Sequence, residues 1–287
     1  MRFLIALLLA TAAYGQSGVG VEIDDVTDNR VSAGDLVGSL ELRVKLTGTG
    51  LDKATAARML VKEARDDRGT TLSDGTDKPD FFPREYNSGT LQLSVRQPAR
   101  AASSVRIKGS VELFVPSRDP NAIVTVDKAL AKLDTPLSAK ALKAAKVTIT
   151  PLSPAGYAET MKTRRLDEKQ IAEIRAEGKK RGVSEKEIDQ MIGLAKALEG
   201  LDSDPPVGAV ILSGTKSDFD RIFRVEILGS DGKPIDVSGR TVSTRGEASI
   251  MTLAPAQPPP ANASLQLYIL TDKARMSFPF DLKVTLP

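Results

Sequence analysis

Three stretches in the first half of the chain alternate apolar and polar residues with a period of two. They are Leu40–Leu46, Leu91–Arg96 and Val105–Lys108, and in each the polar side chains fall on the face opposite to the apolar ones. Because successive strand residues point to opposite faces of a sheet, each stretch predicts a strand with one dry face and one wet face. This pattern is typical of the antiparallel sheets of a β-sandwich.

The C-terminal third of the chain predicts a second β region. Its apolar segments are 207–212, 222–228, 249–253, 265–270 and 276–286. Turn-forming residues at Ser230–Lys233 and the proline-rich Pro255–Pro260 separate some of these segments.

The two β regions share spacings that suggest a degenerate repeat. In both, a valine precedes an aspartate by six positions, and a proline precedes the start of an alternating strand by seven. These pairs are Val61 with Asp67, Val225 with Asp231, Pro98 with Val105, and Pro258 with Leu265. We interpret the matches as the trace of a duplication.

Between the β regions, the sequence predicts a helical hairpin with helices over 166–181 and 184–199. Each helix begins with a capping box and a hydrophobic staple, in Leu166–Ile171 and again in Val183–Ile188. The predicted apolar face of the second helix is Ile188, Met191, Ile192, Ala195 and Leu198. Since so short a pair of helices is marginal alone, this face is expected to pack on a neighbouring sandwich or to dock a partner.

Composition excludes several classes of chemistry. The chain is 41% hydrophobic and 27% charged with a net charge of +3, which is ordinary for a soluble globular protein and argues against a nucleic-acid partner. It contains no Cys, His or Trp. Disulfides, thiolate nucleophiles, imidazole metal ligands and the Ser-His-Asp triad are therefore excluded. The sequence predicts no catalytic residue.

The first fifteen residues are predicted to be a signal peptide. Met1-Arg2 supplies a positive start, Phe3–Ala10 is continuously apolar, and Ala13-Tyr14-Gly15 fits a signal peptidase site. No cysteine follows for lipid attachment, so we expect export to the periplasm or exterior without a membrane anchor.

One loop carries the candidate binding and metal residues. Asp74, Asp77 and Asp80 could present oxygen ligands to calcium, although Lys78 lies among them. The adjacent residues Phe81, Phe82, Arg84 and Tyr86 form a cluster of three aromatic side chains and one arginine. This cluster either plugs the end of a sandwich or displays a binding site, because sandwich end loops commonly serve in recognition.

Several strand-like segments together resemble a group of uncharacterised secreted bacterial proteins. The segments are Ser104–Pro116, Ile123–Val126, Leu142–Ile149 and Phe278–Pro287. The proteins they resemble are built from immunoglobulin-like sandwiches. The resemblance implies a fold and an export route, and it assigns no catalytic or binding residue.

The sequence therefore predicts a mainly β protein with two immunoglobulin-like antiparallel β-sandwich domains and an intervening α-helical hairpin. The expected ranges are 1–15 for the signal peptide, 17–153 for the first sandwich, 154–204 for the hairpin and 205–287 for a smaller second sandwich.

The expected function is a non-enzymatic interaction or structural module of the bacterial envelope or exterior. It would need no cofactor and would bind another envelope or extracellular protein through sandwich loops. The alternatives are an extracellular hydrolase using carboxylates and a calcium-stabilised adhesion module.

Overall fold

The computed structural model describes residues 18–29, 38–76, 79, 81–83, 89–163, 168–201, 207–245 and 247–287. The predicted β class is confirmed, because the protein is 46% strand and 21% helix, with four antiparallel sheets in the described ranges. The predicted signal peptide lies outside the described residues.

The chain divides into two units, and the first one is discontinuous. The first unit contains the chain up to Arg118 together with Asp272–Pro287, and the second unit is Asp119–Thr271. The expected boundaries at 153 and 205 do not coincide with this division. The reason is that the last strand of the chain pairs with a strand of the first unit, and apolar periodicity shows which face is buried but not which strands are neighbours.

The described part of the first unit contains two sheets. One has the order β1 (Val19–Asn29), β2 (Ser39–Gly48), β6 (Thr90–Arg96). The other has the order β16 (Arg275–Thr285), β7 (Ser104–Phe114), β3 (Ala56–Asp66), β4 (Thr71–Ser73), and the short β5 (Phe82–Pro83) pairs with the start of β3. The three alternating stretches of the sequence lie in β2, β6 and β7, as predicted.

Both sheets of the first unit enclose one hydrophobic core. Alternate residues of β2 and β6 contact apolar residues of β3, β7 and β16. The buried residues of this core include Leu40, Leu42, Leu91, Leu93, Met59, Ile107, Leu113, Phe278 and Phe280. The two phenylalanines come from the returning β16, so this core is complete only when the end of the chain is in place.

Gly109 allows a close approach of neighbouring strands within the second sheet of the first unit. It lies in β7 between Val61 of β3 and Phe280 of β16. A β-carbon at this position would lie 2.1 Å from the carbonyl oxygen of Leu60 and 2.6 Å from the Phe280 ring. Only glycine fits there without moving the backbone of β3.

Two sheets also form in the second unit, within the residues that the structure describes. One has the order β13 (Val237–Arg245), β14 (Ala248–Pro255), β10 (Val210–Thr215), β9 (Thr150–Pro151). The other has the order β12 (Pro234–Ile235), β11 (Ile222–Leu228), β15 (Ser264–Ile269), β8 (Ile123–Val126). Leu212, Met251, Ile227, Leu265 and Leu267 are fully buried in the core that these sheets share.

The α-helices of the described chain all lie in the second unit. They are α1 (Lys140–Ala144), α2 (Pro154–Thr163), α3 (Glu168–Lys180), α4 (Glu185–Leu201) and α5 (Lys216–Phe219). Short 3-10 turns occupy Leu51–Lys53, Pro116–Arg118 and Ala129–Ala131. Tyr157 of α2 packs on Ile211 and Ile250, which covers the outer face of the β10–β14 pair. Among the described helices, none combines the length and the hydrophobicity that a membrane-spanning segment requires.

The turns between β3 and β4 and between β11 and β12 have the same hydrogen bonds. In residues 66–70 and 229–233, the N–H of the first residue donates to the carbonyl of the fifth, and the N–H of the fourth donates to the carbonyl of the first. The fourth residue is Gly69 or Gly232, both with positive φ. These bonds align position 66 with position 229, one residue away from the alignment suggested by spacing alone.

A second correspondence precedes β7 and β15. The N–H of Ala102 donates to the carbonyl of Ala99, and the N–H of Ala263 donates to the carbonyl of Pro260, each at 2.9 Å. Both Ala102 and Ala263 are buried. The spacings read from the sequence thus fall on turns with similar local structure in the two units.

Two glycine substitutions test this account of packing. We expect Gly109→Ala to lower the free energy of unfolding by about 3 kcal/mol, because the added methyl overpacks a core strand. Gly193→Ala is the matched control, since no heavy atom lies within 4 Å of its added methyl. Because alanine favours helix over glycine, this control should stabilise α4 by about 1 kcal/mol. Urea unfolding followed by circular dichroism measures both, and equal stability of the two variants would contradict the packing described for Gly109.

Candidate functional site

Phe81, the first residue of the predicted aromatic site, is buried in the first unit. Its ring contacts Phe114 edge-on, with 6.5 Å between the ring centroids. The guanidinium carbon of Arg58 lies 4.4 Å above the centre of the same ring. The Arg58 guanidinium and the Phe114 ring both pack on the Phe81 ring, and these contacts hold the start of the loop against β3 and β7.

Arg58 links the loop to the sheet through two further contacts. Its Nε donates to Glu112 at 2.8 Å, and its Nη1 donates to the carbonyl of Pro79 at 3.3 Å. The Arg58 and Glu112 side chains are 17% and 15% exposed, so the pair is shielded from solvent. The described part of the loop therefore covers the sheet and keeps Phe81 away from a ligand. Phe82 contributes a backbone pair with Ala57, whereas Arg84 and Tyr86 lie outside the described residues.

Asp74 of the candidate metal loop stabilises a turn. Its Oδ1 accepts hydrogen bonds from the hydroxyl and the N–H of Thr76, at 2.7 and 3.1 Å. These two bonds, the hydroxyl first, lower the pKa of the exposed Asp74 carboxyl. Asp77 and Asp80 lie outside the described residues. Within the described ranges, no three acidic side chains are grouped closely enough to hold a metal ion.

Asp66 is a buried carboxylate that ties together two loops of the first unit. It accepts hydrogen bonds from the N–H groups of Arg68, Thr70 and Ala99, at 3.0, 2.8 and 2.9 Å. Burial by itself raises the pKa of Asp66, but the backbone donors outweigh burial and hold the pKa below its ordinary value. The role of Asp66 is structural, because every donor belongs to the loops it joins.

The hairpin of α3 and α4 is the second candidate. As predicted, α4 begins with a capping box, in which the Ser184 N–H donates to Glu187 at 3.0 Å and the Glu187 N–H donates to Ser184 Oγ at 3.3 Å. The Ser184 hydroxyl, followed by its N–H, lowers the pKa of Glu187. The corresponding box of the first helix includes Asp167, which lies outside the described residues.

The apolar face predicted for α4 is divided between two directions. Ile188 and Ile192 are buried, and a β-carbon added to Gly178 of α3 would lie 2.6 Å from Ile188 Cδ1. The two helices therefore approach closely at this point. Met191 and Leu194, in contrast, are 49% and 62% exposed.

A shallow groove borders these exposed residues. It has a volume of about 590 Å³. The residues that line it are Arg181, Gly182, Val183, Glu187, Gln190, Met191 and Leu194. The sequence analysis missed Leu194, because it centred the apolar face on Ile188 and Ile192. The signal that would have found it is its place three residues after Met191, with another leucine four residues later.

Two ion pairs also join the helices of the hairpin. Arg175 pairs with Asp189 and Lys179 pairs with Glu185, both at 2.7 Å, and these bridges join α3 to α4 or to its start. Across residues 168–201 there are seven acidic and seven basic side chains, so the hairpin has no net charge. A partner with a strong charge gains no overall attraction to such a surface.

No protein-family model, curated protein or solved structure matches the chain. The candidate site is therefore chosen on the geometry of this structure alone. The hairpin groove is apolar and accessible, whereas Phe81 in the described part of the aromatic loop is buried.

The role assigned to Asp66 predicts a particular pH dependence. Because its pKa is lowered in the folded state, its stabilisation is present above the unfolded pKa of about 3.9 and is lost as the pH falls through the folded value. We expect Asp66→Asn to reduce the free energy of unfolding at pH 7, and the difference from wild type to shrink below about pH 4.

Chemical unfolding of Asp66→Asn at a series of pH values measures this effect. Asp52→Asn is the control, since Asp52 is an exposed aspartate of the same unit. A deficit for Asp66→Asn that is the same at pH 3 and pH 7 would show that the charge of Asp66 contributes nothing.

Proposed function

We propose that the protein is an exported, non-enzymatic interaction module of the bacterial envelope or exterior, which binds a protein partner through the groove on the α3–α4 hairpin. The observation that carries this proposal is the exposure of Met191 and Leu194 beside the groove. The β-sandwich units serve as the scaffold that presents the hairpin.

The strand order of the first unit supports an immunoglobulin-like sandwich. In such folds, with strands lettered along the chain, A, B and E lie in one sheet and G, F, C and C′ lie in the other. β1, β2 and β6 take the places of A, B and E, and β16, β7, β3 and β4 take those of G, F, C and C′.

The second unit supports the same assignment with a permuted order. β9, β10, β14 and β13 take the places of A, B, E and D, and β12, β11 and β15 take those of C′, C and F. The place of G beside β15 is filled by β8, which comes first in the unit instead of last. The hydrogen-bond pattern shared by turns 66–70 and 229–233 then falls between C and C′ in both units, in agreement with a duplication.

The carboxyl groups support binding in preference to hydrolysis. A glycosidase-type general acid needs a raised pKa so that it holds its proton near neutral pH. Each described carboxyl with a clearly shifted pKa has a lowered one, because hydroxyl, backbone or cationic donors stabilise its charged form. These carboxyls are Asp66, Asp67, Asp74, Asp134, Glu185, Glu187, Asp218 and Asp281.

The groove is suited to an amphipathic helix. Val183 in the turn before α4 and Met191 and Leu194 on α4 offer apolar contacts, and Arg181 and Glu187 offer one charge of each sign at the border. Helix-in-groove recognition uses such an apolar strip with polar edges. Thioether and branched side chains of this kind accommodate apolar partners well.

Site-specific photo-cross-linking in native cells tests this function. We expect a photoreactive residue at position 190 to give a covalent adduct of defined mass, because Gln190 lines the groove. The control position is 242, since Val242 is 45% exposed on β13 of the same unit. Absence of any adduct from position 190, or the same adducts from both positions, would refute a role for the groove.

Substitution of the apolar residues gives the matched measurement. With the photoreactive group at position 190, we expect Leu194→Ser to reduce the adduct about tenfold or more, since a buried leucine contributes roughly 1.5–3 kcal/mol. Val242→Ser should leave the adduct unchanged.

A further inference from the structure

We infer that the α3–α4 hairpin opens as a unit while the sheets of the protein stay folded, and that this opening abolishes the groove. The second part of the inference rests on the proposed function, because the groove is the binding site proposed above. A hairpin that opens separately controls the fraction of molecules that can bind.

The hairpin has little buried apolar surface of its own. Across residues 170–195, the buried residues are Gly178, Ile188 and Ile192, and the others are partly or largely exposed. Burial of apolar side chains is the main stabilising contribution to folding, so two isoleucines give the hairpin a small stability compared with the core of either unit. Helices of 13 and 17 residues are marginal without further packing.

The contacts of the hairpin are mostly within itself. Among the described elements, α3 packs chiefly against α4. For residues 171–195, the side-chain hydrogen bonds and ion pairs found in the described chain have both partners inside the hairpin. The two pairs that join the helices, Arg175–Asp189 and Lys179–Glu185, have side chains that are all more than half exposed, so they stabilise little. Within residues 171–195, opening the hairpin therefore breaks no described side-chain bond to a sheet.

Gly193 weakens α4 further. A glycine inside a helix is less stable than an alanine at the same position. No heavy atom lies within 4 Å of the β-carbon that alanine would add at Gly193, so packing does not require glycine there. Gly178 differs, because its added β-carbon would lie 2.6 Å from Ile188 Cδ1. The sequence thus leaves α4 less stable than the packing of the hairpin requires.

The groove exists only while α3 is folded. At the end of α3, the N–H of Gly182 donates to the carbonyl of Lys179 at 3.1 Å, and the N–H of Val183 donates to the carbonyl of Gly178 at 3.0 Å. Gly182 has a φ of 75°, so these two bonds form a Schellman motif. The motif fixes the turn from which Val183 lines the groove beside the residues of α4. Unfolding of α3 removes this motif and, with it, one side of the groove.

Native-state hydrogen exchange of the purified full chain tests the opening. We expect the amides of α3 and α4 to share one opening reaction and to be protected at least about a hundredfold less than the amides of β10 and β11. Low concentrations of urea should barely change exchange in the hairpin, because a local opening exposes little surface. Equal protection of the hairpin and of these strands would overturn the inference.

Gly193→Ala distinguishes local opening from global unfolding. It should raise the protection of the hairpin amides about fivefold and leave the amides of β10 unchanged, because the substitution stabilises only the closed hairpin. Gly239→Ala on β13 is the matched control, since its added methyl lies no closer than 3.9 Å to another atom, and it should leave the hairpin unchanged. A rise of the same size in the hairpin and in β10 would show that they unfold together.

Ile188→Ala tests the dependence of the groove on the closed hairpin. Ile188 is buried, and the residues that line the groove do not include it. Since truncation of a buried isoleucine is strongly destabilising, we expect most molecules of this variant to have an open, unprotected hairpin and an adduct from position 190 reduced about threefold or more. Exchange of the β10 amides in the same sample shows whether the sheets remain folded. An undiminished adduct from an unprotected hairpin would refute this dependence.

The outcomes separate the inference from the function on which its second part rests. If the hairpin is as protected as β10 while position 190 cross-links to a partner, the opening is refuted and the binding function stands. If the hairpin opens separately and position 190 gives no adduct, the binding function is refuted and the opening controls no binding site. Separate opening together with an adduct that is lost in Ile188→Ala supports both.

Discussion

The pairing of β7 with β16 is the constraint on which the architecture of the first unit depends. The two strands are neighbours over their full length, from Ser104 opposite Thr285 to Phe114 opposite Arg275. The N–H of Val115 extends the ladder by donating to the carbonyl of Ala274 at 2.8 Å. The chain thus leaves this sheet and returns to the same place, so the inserted unit has to begin and end at adjacent points. The second unit meets this requirement, because its first strand, β8, pairs with its last strand, β15.

The sequence predicts elements better than it predicts their neighbours. Alternation in Leu40–Leu46 identifies a strand with a dry face, since the period of two is a local property. It cannot show that Phe278 and Phe280 pack in the first unit, because that depends on pairing across more than 150 residues. β13 was missed for a different reason. Nearly all of its side chains are exposed on both faces, so Val237–Arg245 has no dry face and no alternation to read.

The candidate site shows the same division between local and distant information. The capping box of Ser184 and Glu187 was readable because both partners lie in one turn. The burial of Phe81 was one of the two alternatives for its loop, and the sequence could not decide between them because burial depends on Arg58 and Phe114, which belong to separate strands. In α4, the helical period identified Ile188, Met191 and Ile192 as apolar positions, but it omitted Leu194 and could not divide these residues between α3 and solvent. That division depends on the close approach at Gly178.

The insertion also determines the order in which the chain can become structured during synthesis. All strands of the second unit have been translated by Ile269, whereas β16 begins at Arg275. Until β16 emerges, β7 lacks one neighbouring strand and the core of the first unit lacks the rings of Phe278 and Phe280. A nascent chain can therefore fold the second unit while the first unit is still a partly folded intermediate. In this intermediate, the edge of β7 is unpaired and can pair with another chain. We therefore expect a chaperone to protect the first unit chiefly at this stage.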